Sequence, residues 1–276
     1  MRYVERMFGL GDVRAVVTGG AGVLPKAMAG SLAKAGATVC IWGRGTSHPV
    51  ADAVEELRRE VAGHEGAGTI VGETVDTGDE ASVAAALERT EQAIGMPNLL
   101  VNGVGGNKGK SPFVDIDADL FREVLDMNLL AGLVIPTKVF VRRWIDAEVQ
   151  GSIINVASMA SYVPLSGVWA YTAAKSAVLK LTEGAAKEFA PHGIRVNAVA
   201  PGFFVGHQNK ALLIADEATG ELTPRGQAII DRTPFGRFGA IEDLEGTTLF
   251  LASPRASGFL TGVCIPVDGG YLVDNI

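Results

Sequence analysis

The segment Tyr171-Thr-Ala-Ala-Lys175 spaces a phenol and an ammonium at i and i+4, on one face of a helix. Ser158 lies thirteen residues upstream, where it closes the apolar run 152–157. Free tyrosine, with a pKa of ~10, is a poor base near neutrality. A neighbouring ammonium favours the phenolate and is expected to lower that value. A serine hydroxyl beside the phenol can hold an alcohol or carbonyl oxygen against it. Together the three groups suit proton transfer at a secondary alcohol as its hydride leaves. The Tyr–Lys spacing alone is weak, because such pairs are often plain surface neighbours. Ser158 at a strand end is what gives the pair weight.

A hydride needs an acceptor, and the first strand runs into Thr18-Gly19-Gly20-Ala21-Gly22-Val23-Leu24-Pro25. A glycine-rich strand-to-helix turn lets backbone approach a pyrophosphate, and the following helix N-terminus supplies N–H donors. Gly19, Gly20, Gly22, Val23 and Leu24 are therefore the candidate phosphate cradle of a dinucleotide. The pattern is T-G-x-x-G-x-x-P, with Pro25 where a third glycine is usual; proline is tolerated in a first helical turn. The bland alternative is a tight turn and nothing more.

These groups need a frame. Short β-branched runs at 13–18, 38–42, 69–76, 98–102, 152–157, 195–200 and 264–267 alternate with helical patterns near 25–35, 51–62, 80–94, 119–143, 171–190 and 241–252. The runs are mostly continuously apolar, as in a parallel sheet covered on both faces. Such alternation predicts an α/β, Rossmann-type doubly wound parallel sheet flanked by helices, with ligands at the strand C-termini. One domain, 1–276, is expected, with the irregular stretch about 203–230 as a substrate lid.

Composition excludes several classes. With 24 Lys+Arg against 31 Asp+Glu the net charge is −7, which disfavours nucleic acid or an anionic membrane as partner. Two cysteines, Cys40 and Cys264, cannot build a disulfide framework, and the four histidines lack metal-ligand spacing, so no metal is expected. No run approaches the ~18 apolar residues of a membrane span; the most apolar segment, 129–135, stops at Pro136. A cytoplasmic protein acting on a small molecule is expected. The 35 glycines among 276 residues are about twice the usual ~7% and fit a nucleotide-binding frame.

The chain resembles the short-chain dehydrogenase/reductase family over essentially its whole length. The matching pieces are TGGAGVLP, Asp76-Thr77, VNGVGG at 101–106, Asn128, the Ser158/Tyr171/Lys175 set, Pro201-Gly202 and Val267-Asp268-Gly269-Gly270. Within it, GGNKG (105–109), PGFF (201–204), QNKALL (208–213), LTPRGQ (222–227) and TPFGRFG (233–239) resemble the D-mannonate oxidoreductase or fructuronate reductase branch.

The resemblance implies an NAD(P)(H)-dependent oxidoreductase. Tyr171 would be acid/base, with Ser158 holding the reacting oxygen. Lys175 would support Tyr171 and bond the nicotinamide ribose. Asn128 would hold a relay water, unless it is simply a helix polar residue meeting a carbonyl. Asp76 and Thr77 would lie near the adenine; Asn102, Gly103 and Val104 along the ribose and phosphates; Pro201, Gly202 and Phe204 around the nicotinamide. Two departures stand out: the usual N-N-A-G is Asn102-Gly103-Val104-Gly105, and Gly206 stands where a threonine is common. A sugar acid of the D-mannonate/D-fructuronate type suits the polar supply of Asn107, Lys108, Gln208 and Asn209, with Lys108 or Lys210 pairing a carboxylate. Met159 and Trp169 would wall the pocket or merely pack. The alternatives are a reductase of 3-oxoacyl thioesters or hydrophobic ketones, and a non-catalytic cofactor-binding regulator. Apolar excess on the helices near 119–143 and 171–190 predicts a homo-oligomer, which the resemblance makes a tetramer.

Cofactor choice turns on the end of the second strand, where an acidic residue would accept the ribose 2′-hydroxyl and repel a 2′-phosphate. Gly43 occupies that position, and Arg44 follows with a guanidinium suited to phosphate. The local chemistry predicts NADP(H), with NAD(H), which mannonate-type relatives use, as the alternative.

Overall fold

The computed structural model describes residues 3–165, 167–206, 210–216 and 218–274. Seven parallel strands form one sheet: β1 (Arg14–Thr18), β2 (Thr38–Gly43), β3 (Ile70–Thr74), β4 (Leu99–Asn102), β5 (Ser152–Val156), β6 (Arg195–Pro201) and, last in the chain, β9 (Cys264–Val267). Their order across the sheet is β3-β2-β1-β4-β5-β6-β9. Between β6 and β9 lies a separate antiparallel hairpin, β7 (Ile214–Asp216) with β8 (Glu221–Leu222). The doubly wound Rossmann-type sheet expected from the sequence is the fold that forms.

The central strands are apolar on both faces because both faces are covered. Val17, Val39, Ile41, Leu99, Val101, Ile154 and Val199 enter one buried cluster with α2 (Val23–Lys34), α3 (Val50–Val61) and part of α10 (Glu245–Ala252). Val16, Cys40, Trp42, Leu100, Ile153 and Val196 alternate to the other face. There they pack on α4 (Glu80–Ile94) and α6 (Ile135–Asp146). Alternation by single residues along each strand sends neighbours to opposite layers. The Asp79 carboxylate caps α4 by accepting from the Ala81 and Ser82 N–H groups, and Asp117 caps α5 (Ala118–Leu125) on Asp119 and Leu120.

The helix expected near 119–143 runs from Ala118 to Asp146, straight through Pro136. Proline removes one N–H and crowds the carbonyl four residues back. The chain absorbs this by widening to a π-helix over Asp126–Val134, immediately before Pro136. Helix 118–146 is thereby long and apolar enough to cross a membrane by length and composition. Its apolar side is used inside the protein: Val124, Leu133, Phe140, Val141 and Trp144 are buried.

The remaining helices are α1 (Tyr3–Phe8), which the periodicity did not reveal, α7 (Trp169–Phe189), α8 (Lys210–Leu213), α9 (Pro224–Asp231) and α11 (Pro254–Ser257). The stretch that reads as irregular therefore holds α8, the β7–β8 hairpin and α9. Thr223 binds this unit together, donating its hydroxyl to Leu212 O (2.7 Å) and capping Gly226 N (3.0 Å). Cys40 and Cys264 are both free thiols, and burial pushes Cys40 up to about 11.

Candidate active site

Strand order reverses between β1 and β4, so the connections leaving their C-terminal ends diverge and open a crevice. Both walls are glycine-rich. A Cβ on Gly19 (φ +65°) would stand 3.0 Å from Gly103 O, so the turn after β1 rests directly on the turn after β4. Gly103 is equally constrained, since a Cβ there would meet Thr18 O at 2.5 Å and the Pro25 ring at 2.7 Å. Pro25, where a third glycine is usual in the phosphate turn, and Gly103, where the family's second asparagine is usual, thus occupy one space. Gly22 is the N-cap of α2 and offers no side chain, which leaves the first N–H groups of that helix, from Val23 and Leu24, for an anion. The cradle fits a pyrophosphate.

At the C-terminal end of β2, Val75 N–H donates to Gly43 O (2.9 Å), which brings Asp76 and Thr77 beside that strand end. Asp76 is exposed and its Oδ1 accepts from Gly78 N (2.9 Å); Thr77 is buried. No carboxylate stands at position 43, where a Cβ would lie 3.3 Å from Val50 and 3.9 Å from Ala21. Arg44 is exposed and makes no hydrogen bond or ion pair among the described residues.

The reactive set forms at the end of β5. Ser158 is extended and caps the short turn Met159–Ser161, its Oγ accepting from Ala160 N (3.2 Å). Its hydroxyl also lies near enough to the Tyr171 phenol to favour ionisation of that group. Lys175, one turn along α7, is buried, and its Nζ donates to Val156 O (2.8 Å) while standing 5.7 Å from the Tyr171 ring centre. Ser161 Oγ donates to Lys175 O (2.6 Å), clamping the Ser158 turn to the helix that carries the other two groups. The structure therefore brings Ser158, Tyr171 and Lys175 together.

Their electrostatics depart from expectation. Burial holds the Tyr171 phenol above its usual 10, opposed only by the nearby Ser158 hydroxyl, so Lys175 does not draw it down. Burial also lowers Lys175 to about 8. With no carboxylate partner, desolvation outweighs any mutual help, and both groups are biased toward their neutral forms.

Asn128 sits in the π-helical segment, buried, with every strong donor engaged. Its Nδ2 donates to Gly106 O (2.7 Å) and Val124 O (2.8 Å), and its Oδ1 accepts from Gly106 N (3.1 Å). It grips the turn after β4, and a Cβ on Gly105 would strike both Asn128 Oδ1 (2.7 Å) and Lys175 Nζ (3.1 Å). The carbonyl-meeting reading of Asn128 describes this arrangement. Asn102 turns away from the crevice: its Nδ2 donates to Thr137 Oγ1 and Asn155 Oδ1, both at 2.9 Å, which joins β4 to β5 and α6. Its side chain is scaffold, while Gly103 and Val104 form the crevice wall.

Gly202 packs the end of β6 on β9, where a Cβ would lie 2.7 Å from Asp268 Cα. The Phe204 ring is buried against Gly239. Phe203, Phe204, Phe235, Arg237 and Asp243 line a cavity of about 330 Å³ that none of Ser158, Tyr171 and Lys175 reaches. Gly206 touches Val23 at the cradle, so the threonine common there would crowd that side chain.

The expected substrate residues divide. Met159 is 1% exposed and packs with Leu133, Val178 and Ala200, so it is core and not a pocket wall. Trp169 donates Nε1–H to Ser111 O (3.0 Å) and meets Phe113 edge-on, fixing the 107–113 loop against the start of α7. Asn107 donates to Gly109 O (2.8 Å), and Lys108 is ion-paired to Glu123. Asn107, Lys108 and Trp169 line a pocket of about 140 Å³ together with Lys110, which sequence reasoning passed over. The motif KGK offers two lysines two residues apart, and nothing in the pattern says which is already paired. Gln208 and Asn209 lie outside the described residues. No group of His, Cys, Asp and Glu suited to a metal occurs among the described residues.

A parallel sheet with a glycine cradle at its switch point and a Ser–Tyr–Lys set beside it defines a nicotinamide-dependent oxidoreductase acting on CH–OH groups. A family model described as enoyl-(acyl carrier protein) reductase matches residues 22–272, and the chain belongs to the short-chain dehydrogenase/reductase family. It is 40% identical to the uncharacterized oxidoreductase UxuB of Bacillus subtilis, over 94% of each chain. It is 31% identical to a gluconate 5-dehydrogenase of Gluconobacter oxydans, over 97% of each chain. With a cis-4-hydroxycyclohexanecarboxylate dehydrogenase of Sinomonas cyclohexanicum it shares 35% identity over 93% of this chain and 95% of that one. Among solved structures, a Haemophilus influenzae protein provisionally described as a D-mannonate oxidoreductase, with bound NAD, superposes at TM-score 0.85, with 30% identity over 99% of each chain. An Agrobacterium tumefaciens protein, provisionally a 2-deoxy-D-gluconate 3-dehydrogenase with bound NADP, gives 0.82 and 32% identity over 97% of this chain and 99% of that one.

Proposed function

We propose that this enzyme interconverts a secondary alcohol and a ketone on a six-carbon sugar acid, at the carbon next to the terminal carbinol. D-mannonate/D-fructuronate is the first pair to try and gluconate the second. The observation that carries the reading is the placement of Ser158, the Tyr171 phenol and Lys175 together at the end of β5, beside the glycine turn after β4. The gluconate 5-dehydrogenase and the cis-4-hydroxycyclohexanecarboxylate dehydrogenase both act on hydroxy acids, which supports a substrate carrying both a carboxylate and a distant carbinol.

When bound, the nicotinamide supplies the hydride donor or acceptor. Tyr171 moves the proton at the substrate oxygen, and Ser158 holds that oxygen within reach. Lys175 supplies the charge beneath them, and Asn128 holds the Gly105–Gly106 turn over Lys175. The 203–230 segment closes over the substrate as a lid. NADP(H) is the preferred cofactor, on the evidence of Gly43 and the unpartnered Arg44, although both NAD and NADP are bound among the structural neighbours. The enzyme works in the cytoplasm as a tetramer.

The test is a screen of sugar acids, alditols, 3-oxoacyl thioesters and hydrophobic ketones, followed by cofactor absorbance. Sugar acids should react, and Tyr171→Phe should leave less than about 1% of kcat, in line with loss of general acid–base catalysis. Turnover of thioesters or hydrophobic ketones but of no sugar acid would replace this reading with the reductase alternative.

A further inference from the structure

We propose that Lys110 is the anchor for the substrate carboxylate, an assignment that rests on the sugar-acid reading above. The cations available to the cleft are few, and most are committed. Lys108 is paired to Glu123. Arg237 makes two bonds to Asp243 and lies in the other cavity. Lys175 is buried beneath Tyr171 and bonded to Val156 O. Lys210 has a partner of its own. Lys110 has no hydrogen-bond or ion-pair partner among the described residues.

Its stem is nevertheless held. Gly167 has φ +82°, and a Cβ there would lie 2.6 to 3.2 Å from Lys110 Cγ, Cε and Cδ. The lysine chain therefore lies flat across a position that only glycine leaves open. Ser111 N–H donates to Gly167 O (3.1 Å) and the Trp169 indole donates to Ser111 O, so the loop carrying Lys110 is sewn to the segment that leads into Tyr171. At its other end this loop begins at Gly105 and Gly106, over Asn128 and Lys175. An ammonium restrained in this way loses less freedom on binding an anion than a free surface lysine does.

The pocket that Lys110 lines also holds Asn107, Asp115 and Asp117. Asp117 is committed to the α5 N-terminus. Asp115 remains as an acceptor for hydroxyl groups. Among the described residues lining this pocket, a cation and a carboxylate without partners and an amide match a polyhydroxy acid better than a fatty or steroid-like ketone. At about 140 Å³ the pocket holds one end of such a molecule and leaves its carbinol to extend toward Tyr171.

The experiment compares wild type, Lys110→Met and Lys110→Arg on hexonates and on the neutral alditols of the same configuration, with cofactor KM as a control. For Lys110→Met the hexonate KM should rise about tenfold to a hundredfold, as expected when one charge-assisted bond is lost. Its kcat, cofactor KM and alditol efficiency should stay within about threefold, since no transition-state contact is removed. Lys110→Arg should recover most of the hexonate affinity. An active wild type whose hexonate KM is unchanged in Lys110→Met overturns the Lys110 assignment and leaves the sugar-acid reading standing. A wild type that turns over other alcohols but no hexonate overturns both.

Discussion

Lys175 offers a test in which stability and activity move in opposite directions. Its ammonium is buried without a carboxylate, and that burial brings it from an ordinary 10.5 to about 8. At about 1.36 kcal/mol for each tenfold loss of proton affinity, the charged form costs the native state about 3 kcal/mol wherever both folded and unfolded chains are protonated. Because the folded value is the lower one, the unfolded chain binds more protons between about pH 8 and 10.5, and wild-type stability rises with pH across that window. The cost is complete below pH 8 and gone above 10.5. Lys175→Met removes it while keeping the length and apolar volume of the stem. It also removes the bond to Val156 O, worth about 1 kcal/mol. The net expectation near pH 7 is a gain of about 2 kcal/mol. With an unfolding entropy of about 2.1 cal/mol/K per residue, that is a rise in Tm of roughly 3–4 °C for a chain of this length. Urea denaturation of both proteins at pH 7 and pH 10.5 measures it, with turnover assayed in parallel. The variant should be inactive, more stable at pH 7, and without advantage at pH 10.5. A variant less stable at pH 7, or a gap that ignores pH, would refute the claim that an unpaired buried ammonium is held there at the expense of the fold.

Arg44→Ala should raise the KM for NADP(H) about tenfold or more while leaving that for NAD(H) within about twofold, because only the 2′-phosphate needs the guanidinium. A wild type with higher kcat/KM for NAD than for NADP would sink this prediction. Light scattering at micromolar protein should give a mass of four chains, since Leu130 and Leu181 on the long helices and Phe259 before β9 are exposed. A monomer mass would show that this apolar surface is left to water.

How much of the site could be read from the sequence depended on the range of the interaction involved. The sheet, its switch point and the meeting of Ser158 with Tyr171 followed from local signals: continuous apolar runs, a glycine turn, an i, i+4 pair and a serine at a strand end. Asn102 was misplaced because a buried amide finds partners by three-dimensional proximity. Thr137 and Asn155 lie 35 and 53 residues away, and no local pattern connects them. Met159 adjoins Ser158 in sequence, yet the turn it begins carries its side chain into the core. Lys108 and Lys110 are indistinguishable as letters; Glu123 and Gly167, on separate elements, decide which ammonium is spent and which is held open.

The pKa directions at the centre bear on which half of the chemistry the unliganded site favours. A phenol kept above its ordinary value is protonated throughout the neutral range. A protonated phenol beside Ser158 is a proton donor, which is what ketone reduction requires at the carbonyl oxygen. Alcohol oxidation requires the phenolate, which burial disfavours and which Lys175 can favour only while it is itself charged. Lys175 loses that charge near pH 8, on the same side of neutrality on which Tyr171 would begin to ionise. Raising the pH therefore works against itself in the oxidative direction, since it promotes loss of the phenolic proton and removes the cation that would stabilise the product. Asn128 and Ser161 hold the Gly105–Gly106 turn and the Ser158 turn against α7, which fixes where Lys175 stands relative to Tyr171.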